Sequence, residues 1–338
     1  MSAESVPAAG GWYRVESGGA ASTVRRTAER LGTQVGLTPN RVAELAIVTA
    51  ELTSNLVKHA EEGMVLVRPV RVAGEAGVEL VAVDSGPGMA DLTVSARDGH
   101  STTGTLGIGL GAIDRQATWY DAWSWRGRGT VSVVQVWAKD VPAPPMWAAG
   151  LTRPITGEQI SGDGHAVRVV QGRHQVLVCD GLGHGSLAGA AADAALAAFR
   201  TAPVAPPAVV VRHLHQSMAH TRGAAVAVAE LDPPARLLRY AGVGNITGVV
   251  LGPDGGRKHL VSLPGIAGHQ RPVVREYDYA FPPDATLVMH SDGVVGRWRI
   301  EDYPGLTGRS PLVVAATLLR DAGVRRDDAC VLVARSPV

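Results

Sequence analysis

From Arg41 to His59 the chain reads RVAELAIVTAELTSNLVKH, and Val42, Leu45, Ile47, Val48, Leu52, Leu56 and Val57 recur at helical spacing. Pro39 stands just ahead of this stripe, and Thr38 is placed to cap the helix it predicts. The short apolar run Val78–Val83 predicts a strand, and VSVVQVW after Thr130 predicts another. The segment VPAPPMWAAG, Val141–Gly150, breaks the pattern with three prolines, which cannot continue a helix or a central strand. Beyond it, strands are predicted at Ala166–Val170, Gln175–Cys179, Ala224–Leu231 and Thr286–Val294, with an Ala-rich helix at Ser186–Phe199. The patterning therefore predicts two α/β domains, residues 10–140 and 151–338, joined by a stiff linker at 141–150. The longest apolar run, Leu187–Phe199, contains Asp193 and is shorter than the ~18 residues of a membrane span, so it reads as a buried helix.

Composition narrows the class. Hydrophobic residues make up 46% of the 338 and charged residues 19%, which suits a packed core and excludes a disordered polar chain. A formal charge of +1 excludes a globally basic nucleic-acid binder. Cys179 and Cys330 are the only cysteines, too few for a disulfide scaffold and consistent with a reducing cytoplasm. The first ten residues lack a positive segment followed by an apolar one, so the expectation is a cytoplasmic protein with no membrane partner. Glycine is the strongest bias, 41 of 338 or about 12% against a usual level of roughly 7%.

In the first half, Glu51 and Asn55 are four apart and share a face of the predicted helix. Alone, that is an ordinary solvated face. The strand Val78–Val83, however, runs into DSGPGM at Asp84–Met89, and GTLGIGLGAIDRQA then carries Gly104, Gly107, Gly109 and Gly111 into a helix. A glycine-rich loop feeding a helix N-terminus is a natural phosphate cradle. GRGT at Gly127–Thr130 completes the order ExxxN, DxGxG, GxGxG, GxGT. This order resembles the ATP-binding fold of the GHKL ATPases, and within it the RsbT-like anti-sigma-factor serine kinases, over about residues 10–138. The resemblance implies a GHKL, Bergerat-type α/β sandwich that binds Mg²⁺ and ATP. Asn55 would hold Mg²⁺, Asp84 would accept from the adenine amino group, and Gly86 and Gly88 would let the backbone pass the base. Gly107, Gly109 and Gly111 would wrap the phosphates, Thr130 would support the adenine side, and Glu51 would serve as base toward the incoming serine hydroxyl.

In the second half, acidic residues stand at strand ends beside glycine or a second aspartate: Asp163 in ISGD, Asp180 in DGLGHG, Asp292 in HSDGV, and Asp327 with Asp328 in RRDDAC. Carboxylates converging in this way repel unless cations hold them, and oxygen-only ligands point to Mg²⁺ or Mn²⁺. The order of DGLGHG, TRGAAVAVAELD, AGVGNI and SDG…DDA resembles the SpoIIE-type, RsbX-like metal-dependent serine/threonine protein phosphatases, over about residues 150–338. The resemblance implies a β-sandwich flanked by helices. In it Asp163, Asp180, Asp292, Asp327 and the Gly181 carbonyl would hold two Mn²⁺ or Mg²⁺ ions, with Asp328 hydrogen-bonding nearby. Leu182 occupies the position where better-known relatives carry a histidine; His184, two residues on, reads as a leaving-group acid or as a loop residue. Asn245 reads as a substrate-side group or a turn residue.

Three features are read as structural. His213, His215 and His220 lack an acidic or cysteine partner and suit a solvated helix face. The tryptophans between Trp119 and Trp147 suit core packing, and Cys179 and Cys330 read as small buried residues.

Together the two resemblances imply a partner-switching regulator. Its phosphatase domain would act on phosphoserine or phosphothreonine of STAS-domain antagonist proteins, within a sigma-factor regulatory complex. Its kinase-like domain would phosphorylate the same class of partner, or else serve only as a nucleotide sensor or docking module. Opposed activities on one substrate would consume ATP without net signal, so they must be regulated against each other, differ in substrate, or leave one silent.

Overall fold

The computed structural model describes residues 10–72, 74–89, 109–138, 147–269 and 272–336. The chain divides into two units: Met1–Pro145 with Tyr303–Arg309, and Met146–Asp302 with Ser310–Val338.

In the first unit, β1 (Gly11–Arg14), β2 (Met64–Val72), β3 (Glu75–Asp84), β4 (Trp119–Ser124) and β5 (Thr130–Trp137) form an antiparallel sheet in the order β1-β2-β3-β5-β4. The helices are α1 (Gly18–Gln34), α2 (Pro39–His59) and α3 (Gly109–Gln116). Thr38 caps α2 by accepting from the Arg41 amide, and Pro39 occupies the first turn, where its missing N–H costs nothing. Of the expected apolar stripe, Leu45, Val48, Leu52 and Leu56 are buried, whereas Ile47 and Val57 point to solvent. The buried four pack with Val24 and Leu31 of α1 on Val65, Val67, Val78, Leu80, Val134 and Val136 of the sheet. Alternate positions of β3 supply this face, as the strand period requires. Arg41 is buried at the start of α2 and donates to the carbonyls of Trp137 and Gln116 and to Thr118 Oγ1, at 2.8, 3.1 and 2.6 Å, and it pairs with Glu44. It thereby ties α2 to the ends of α3 and β5.

The second unit contains β6 (Ala148–Arg153), β7 (Asp163–Val170), β8 (Arg173–Gly181), α4 (Ser186–Thr201), α5 (Pro207–Ser217), β9 (Ala224–Asp232), β10 (Leu237–Val243), β11 (Thr247–Leu251), β12 (Arg257–Leu260), β13 (Ser262–Leu263), β14 (Tyr277–Ala280), β15 (Thr286–His290), α6 (Pro311–Ala322) and β16 (Ala329–Arg335). One sheet runs β13-β10-β9-β8-β7 with β14 on β10, and the other β12-β11-β15-β16-β6. Val176, Val178, Ala227, Leu238 and Tyr240 of the first sheet pack on Leu287, Met289, Cys330 and Leu332 of the second. The opposite face of the first sheet, with Leu177, Cys179, Val226 and Val228, packs on α4 and α5. This is the expected helix-flanked β-sandwich. Within the expected linker 141–150, Ala148–Gly150 instead belong to β6, paired with β16. Among the described residues no helix is long and apolar enough to cross a membrane.

Candidate functional site

Strand ends of both sheets converge at one end of the sandwich. Asp163 opens β7 and stands in register opposite Asp180 near the end of β8. Asp292 lies two residues beyond β15, and Asp327 two residues before β16, its antiparallel neighbour. Asp163 is buried, Asp180 half-buried, and Asp292 and Asp327 exposed. Burial pushes the Asp163 carboxyl well above the usual carboxylate range; Asp180 adds to the rise, and a hydrogen bond from Ser291 opposes it. Burial raises Asp180 as well, with Asp292 and Asp327 adding. Asp327 is raised by burial and then by Asp292, while His184 is close enough to act in the opposite sense. Burial is the larger cause of each rise and the neighbouring carboxylates the smaller one, and it is this smaller part that a cation would relieve.

The aspartates are held by Asn245 and Asp328, which the sequence motifs point to, and by Ser291, which they do not. Ser291, fully buried, donates through Oγ to Asp163 Oδ2 at 2.5 Å and accepts from the Cys330 amide at 3.0 Å. It therefore joins the two sheets at the ligand end. Asn245, between β10 and β11, donates to Asp292 Oδ2 at 2.7 Å. Asp327 Oδ1 accepts from the amide of Asp328. Asp328 is itself buried and accepts through its two oxygens from the amides of Ile155 and Gly162, each at 2.7 Å. It fastens the segment that leads into Asp163. Gly181 is buried, and its amide donates to Gly162 O. Gly293 is required at its position because a Cβ there would fall 1.8 Å from Asp328 O. Among the described residues, no three His, Cys, Asp or Glu side chains stand close enough together to hold a metal ion as they are placed. The donor set, oxygen-only and electrostatically crowded, is nonetheless the kind that fits Mg²⁺ or Mn²⁺.

The residues set aside as structural are placed as follows. His215 Nδ1 accepts from the Gly268 amide, and His220 lies beyond the end of α5. Cys179 and Cys330 are buried, and each thiol donates to Gly164 O, at 3.5 and 3.7 Å. Burial pushes the Cys179 thiol far up, which keeps it protonated and unreactive. Trp123 and Trp137 are buried, while Trp125 is exposed.

In the first unit, Glu51 and Asn55 are half-buried one turn apart on α2. Asp84 closes β3 opposite Thr130 at the start of β5, and its Oδ1 accepts from the Gly86 amide at 2.8 Å. Thr130 Oγ1 lies 3.0 Å from Ser124 Oγ, which also accepts from the Met89 amide. Gly88, at φ +63°, has no room for a side chain: a Cβ would fall 2.0 Å from Trp125 O. Its smallness is thus demanded by the neighbouring hairpin itself. Gly107 lies outside the described residues. Gly109 opens α3 and Gly111 is buried within it, so these two are helical rather than part of a wrapping loop.

Residues 171–337 match the family described as Stage II sporulation protein E (SpoIIE), and residues 17–135 match the histidine kinase-like ATPase domain. Among curated proteins, the serine/threonine-protein kinase RsbT of Bacillus subtilis (strain 168) is 29% identical over 106 residues, covering 31% of this chain and 80% of that protein. The phosphoserine phosphatase RsbX of the same organism is 22% identical over 138 residues, covering 41% of this chain and 69% of that protein. A solved chain from work on the bacterial stressosome, "a modular system that has been adapted to control secondary messenger signaling", superposes with a TM-score of 0.51 at 28% identity, over 56% of this chain and 98% of that one.

Proposed function

Starting from a chain that joins a histidine kinase-like ATPase domain to a SpoIIE-type phosphatase domain, we propose a partner-switching regulator. Its second unit removes phosphate from phosphoserine or phosphothreonine on STAS-domain antagonist proteins. Its first unit binds Mg-ATP and phosphorylates the same class of partner, so that the balance of the two reactions sets sigma-factor activity. The observation that carries this reading is the convergence of Asp163, Asp180, Asp292 and Asp327 from both sheets, with burial and mutual repulsion raising three of them.

The chemistry follows from what these residues do. Asp163, Asp180, Asp292, Asp327 and the Gly181 carbonyl are the oxygens that would hold two divalent cations. Those ions, when bound, supply an acidified water and neutralise charge developing on a phosphoryl group. Ser291 and Asn245 orient Asp163 and Asp292, and Asp328 fixes the backbone ahead of Asp163. The exposure of Asp292 and Asp327 leaves the site open to a phosphorylated side chain of another protein. In the first unit Asn55 would hold Mg²⁺, Asp84 and Thr130 would take the adenine side, and Glu51 would serve as base toward the partner's serine; phosphoryl transfer needs little beyond such positioning.

The test is incubation of the full chain with labelled ATP and candidate STAS partners, with and without Mn²⁺. With Mg²⁺ present throughout, label is expected to enter the partner, and its release is expected to rise on adding Mn²⁺. Asp180→Ala is expected to block release only. Release at the wild-type rate in that variant would overturn the metal-centre assignment, and no transfer by the wild type would reduce the first unit to a nucleotide sensor or docking module.

A further inference from the structure

The loop after Asp180–Gly181 lies against the loop that enters β9. Gly181 is in register with Ala224, and the Leu182 amide donates to Gly223 O at 3.1 Å. This pairing places Arg222 directly beside Gly183. Its Nη1 is 3.2 Å from where a Gly183 Cβ would stand, and Gly183, at φ +87°, carries no side chain to obstruct it. The Gly223 amide donates to Thr221 Oγ1 and the Thr221 hydroxyl to Met218 O, so the backbone beneath Arg222 is pinned on both sides. Arg222 is exposed and, among the described residues, makes no hydrogen bond or ion pair, although three crowded aspartates belong to the same end of the unit. Other arginines of this unit are bound: Arg168 to Gln175 and three carbonyls, Arg173 and Arg239 to Glu230. His184, on the same loop as Gly183, reaches Asp327 electrostatically, so this loop borders the carboxylate centre.

We propose that Arg222 grips the phosphoryl group of the substrate, with its guanidinium forked onto two non-bridging oxygens of the phosphomonoester. A planar fork matches that geometry, and a guanidinium remains charged at every working pH. In the hydrolysis, water adds to phosphorus, the bond from phosphorus to the serine oxygen breaks, and that oxygen leaves with a proton. The product, inorganic phosphate, presents the same oxygens to Arg222. The proposal rests on the phosphatase reading above.

The test uses the full chain loaded with Mn²⁺. Calorimetry with inorganic phosphate and kinetics with p-nitrophenyl phosphate are compared for wild type, Arg222→Ala and Arg222→Lys, together with Mn²⁺ affinity and the unfolding midpoint. In Arg222→Ala the phosphate dissociation constant and KM are expected to rise together by about ten- to a hundredfold, the range for losing a charge-assisted bidentate contact. Mn²⁺ affinity and the midpoint are expected to stay at wild-type values, and Arg222→Lys is expected to fall between, keeping charge without the fork. Unchanged phosphate affinity in Arg222→Ala, with wild-type hydrolysis present, overturns the proposal alone. A parallel loss of Mn²⁺ affinity or of the midpoint would make Arg222 a structural residue and overturn it as well. A wild type with no Mn²⁺-dependent hydrolysis removes the phosphatase reading and the proposal with it.

Discussion

Asp328→Ala removes the acceptors of two amides 2.7 Å away, those of Ile155 and Gly162. The Gly162 amide is buried, and leaving such a donor unsatisfied costs about 1–3 kcal/mol. The Ile155 amide is half-buried, so water replaces part of its bond and the loss is about 1 kcal/mol. The second unit should therefore lose about 2–4 kcal/mol. At roughly 2–4 °C per kcal/mol for a domain of this size, its thermal midpoint should fall by roughly 5–15 °C. Asp328→Asn keeps one acceptor oxygen and should lose about half as much. The assay is thermal unfolding followed by circular dichroism, with hydrogen exchange at the Gly162 amide as the local readout. Because Gly162 immediately precedes Asp163, Mn²⁺ affinity should fall in the same variants. An unchanged midpoint, or a Gly162 amide that exchanges no faster in Asp328→Ala, would refute the tether.

Ser291→Ala should leave the sandwich folded but weaken Mn²⁺ binding by roughly 10–100-fold, as losing the partner that orients a metal ligand does; calorimetry checks it. Arg41→Ala should destabilise the first unit by about 3 kcal/mol or more in urea unfolding, since it leaves the Trp137 and Gln116 carbonyls and the Thr118 hydroxyl without their donor. Asn55→Ala should weaken Mg-ATP binding without altering the unfolding of the first unit, and equal affinity by calorimetry would remove the site. For the metal-free chain, the raised carboxyls of Asp163 and Asp180 contribute stability that is present below the ordinary aspartate range and lost as pH rises through their elevated range. The midpoint without metal should thus be higher at pH 6 than at pH 8, and the rise on adding Mn²⁺ larger at pH 8, with protons released on binding.

The aspartates were legible in sequence because each sits at the end of an apolar run beside a glycine or another aspartate, a local signal. Of their supports, Asp328 and Asn245 stand in motifs that flag them, but Ser291 and the partner that Asp328 holds were not legible. Ser291 meets Asp163 across 128 positions, and Asp328 meets Gly162 across 166, contacts set only when the two sheets stack. Periodicity read the strand at Ala166–Val170, yet the ladder begins at Asp163, because pairing with β8 carries a polar residue and a glycine that the apolar count rejects. Ala148–Gly150 escaped for a related reason. Small residues give no alternation, but β6 needs them: a Cβ on Gly150 would meet the His165 ring at 2.7 Å. On α2, spacing alone could not separate the core-facing Leu45, Val48, Leu52 and Leu56 from Ile47 and Val57, which the helix turns outward.

Because the strands of the β7–β10 meander alternate in direction, every second turn falls at the end away from the aspartates. Residues 171–172 and 233–236 are those turns, each with a residue at positive φ (Gln171 and Arg236). Insertions or recognition sequences placed there would meet neither the carboxylates nor their supports. The proposed chemistry and its supports thus gather at one end of the sandwich, while the turns at 171–172 and 233–236 stand at the other.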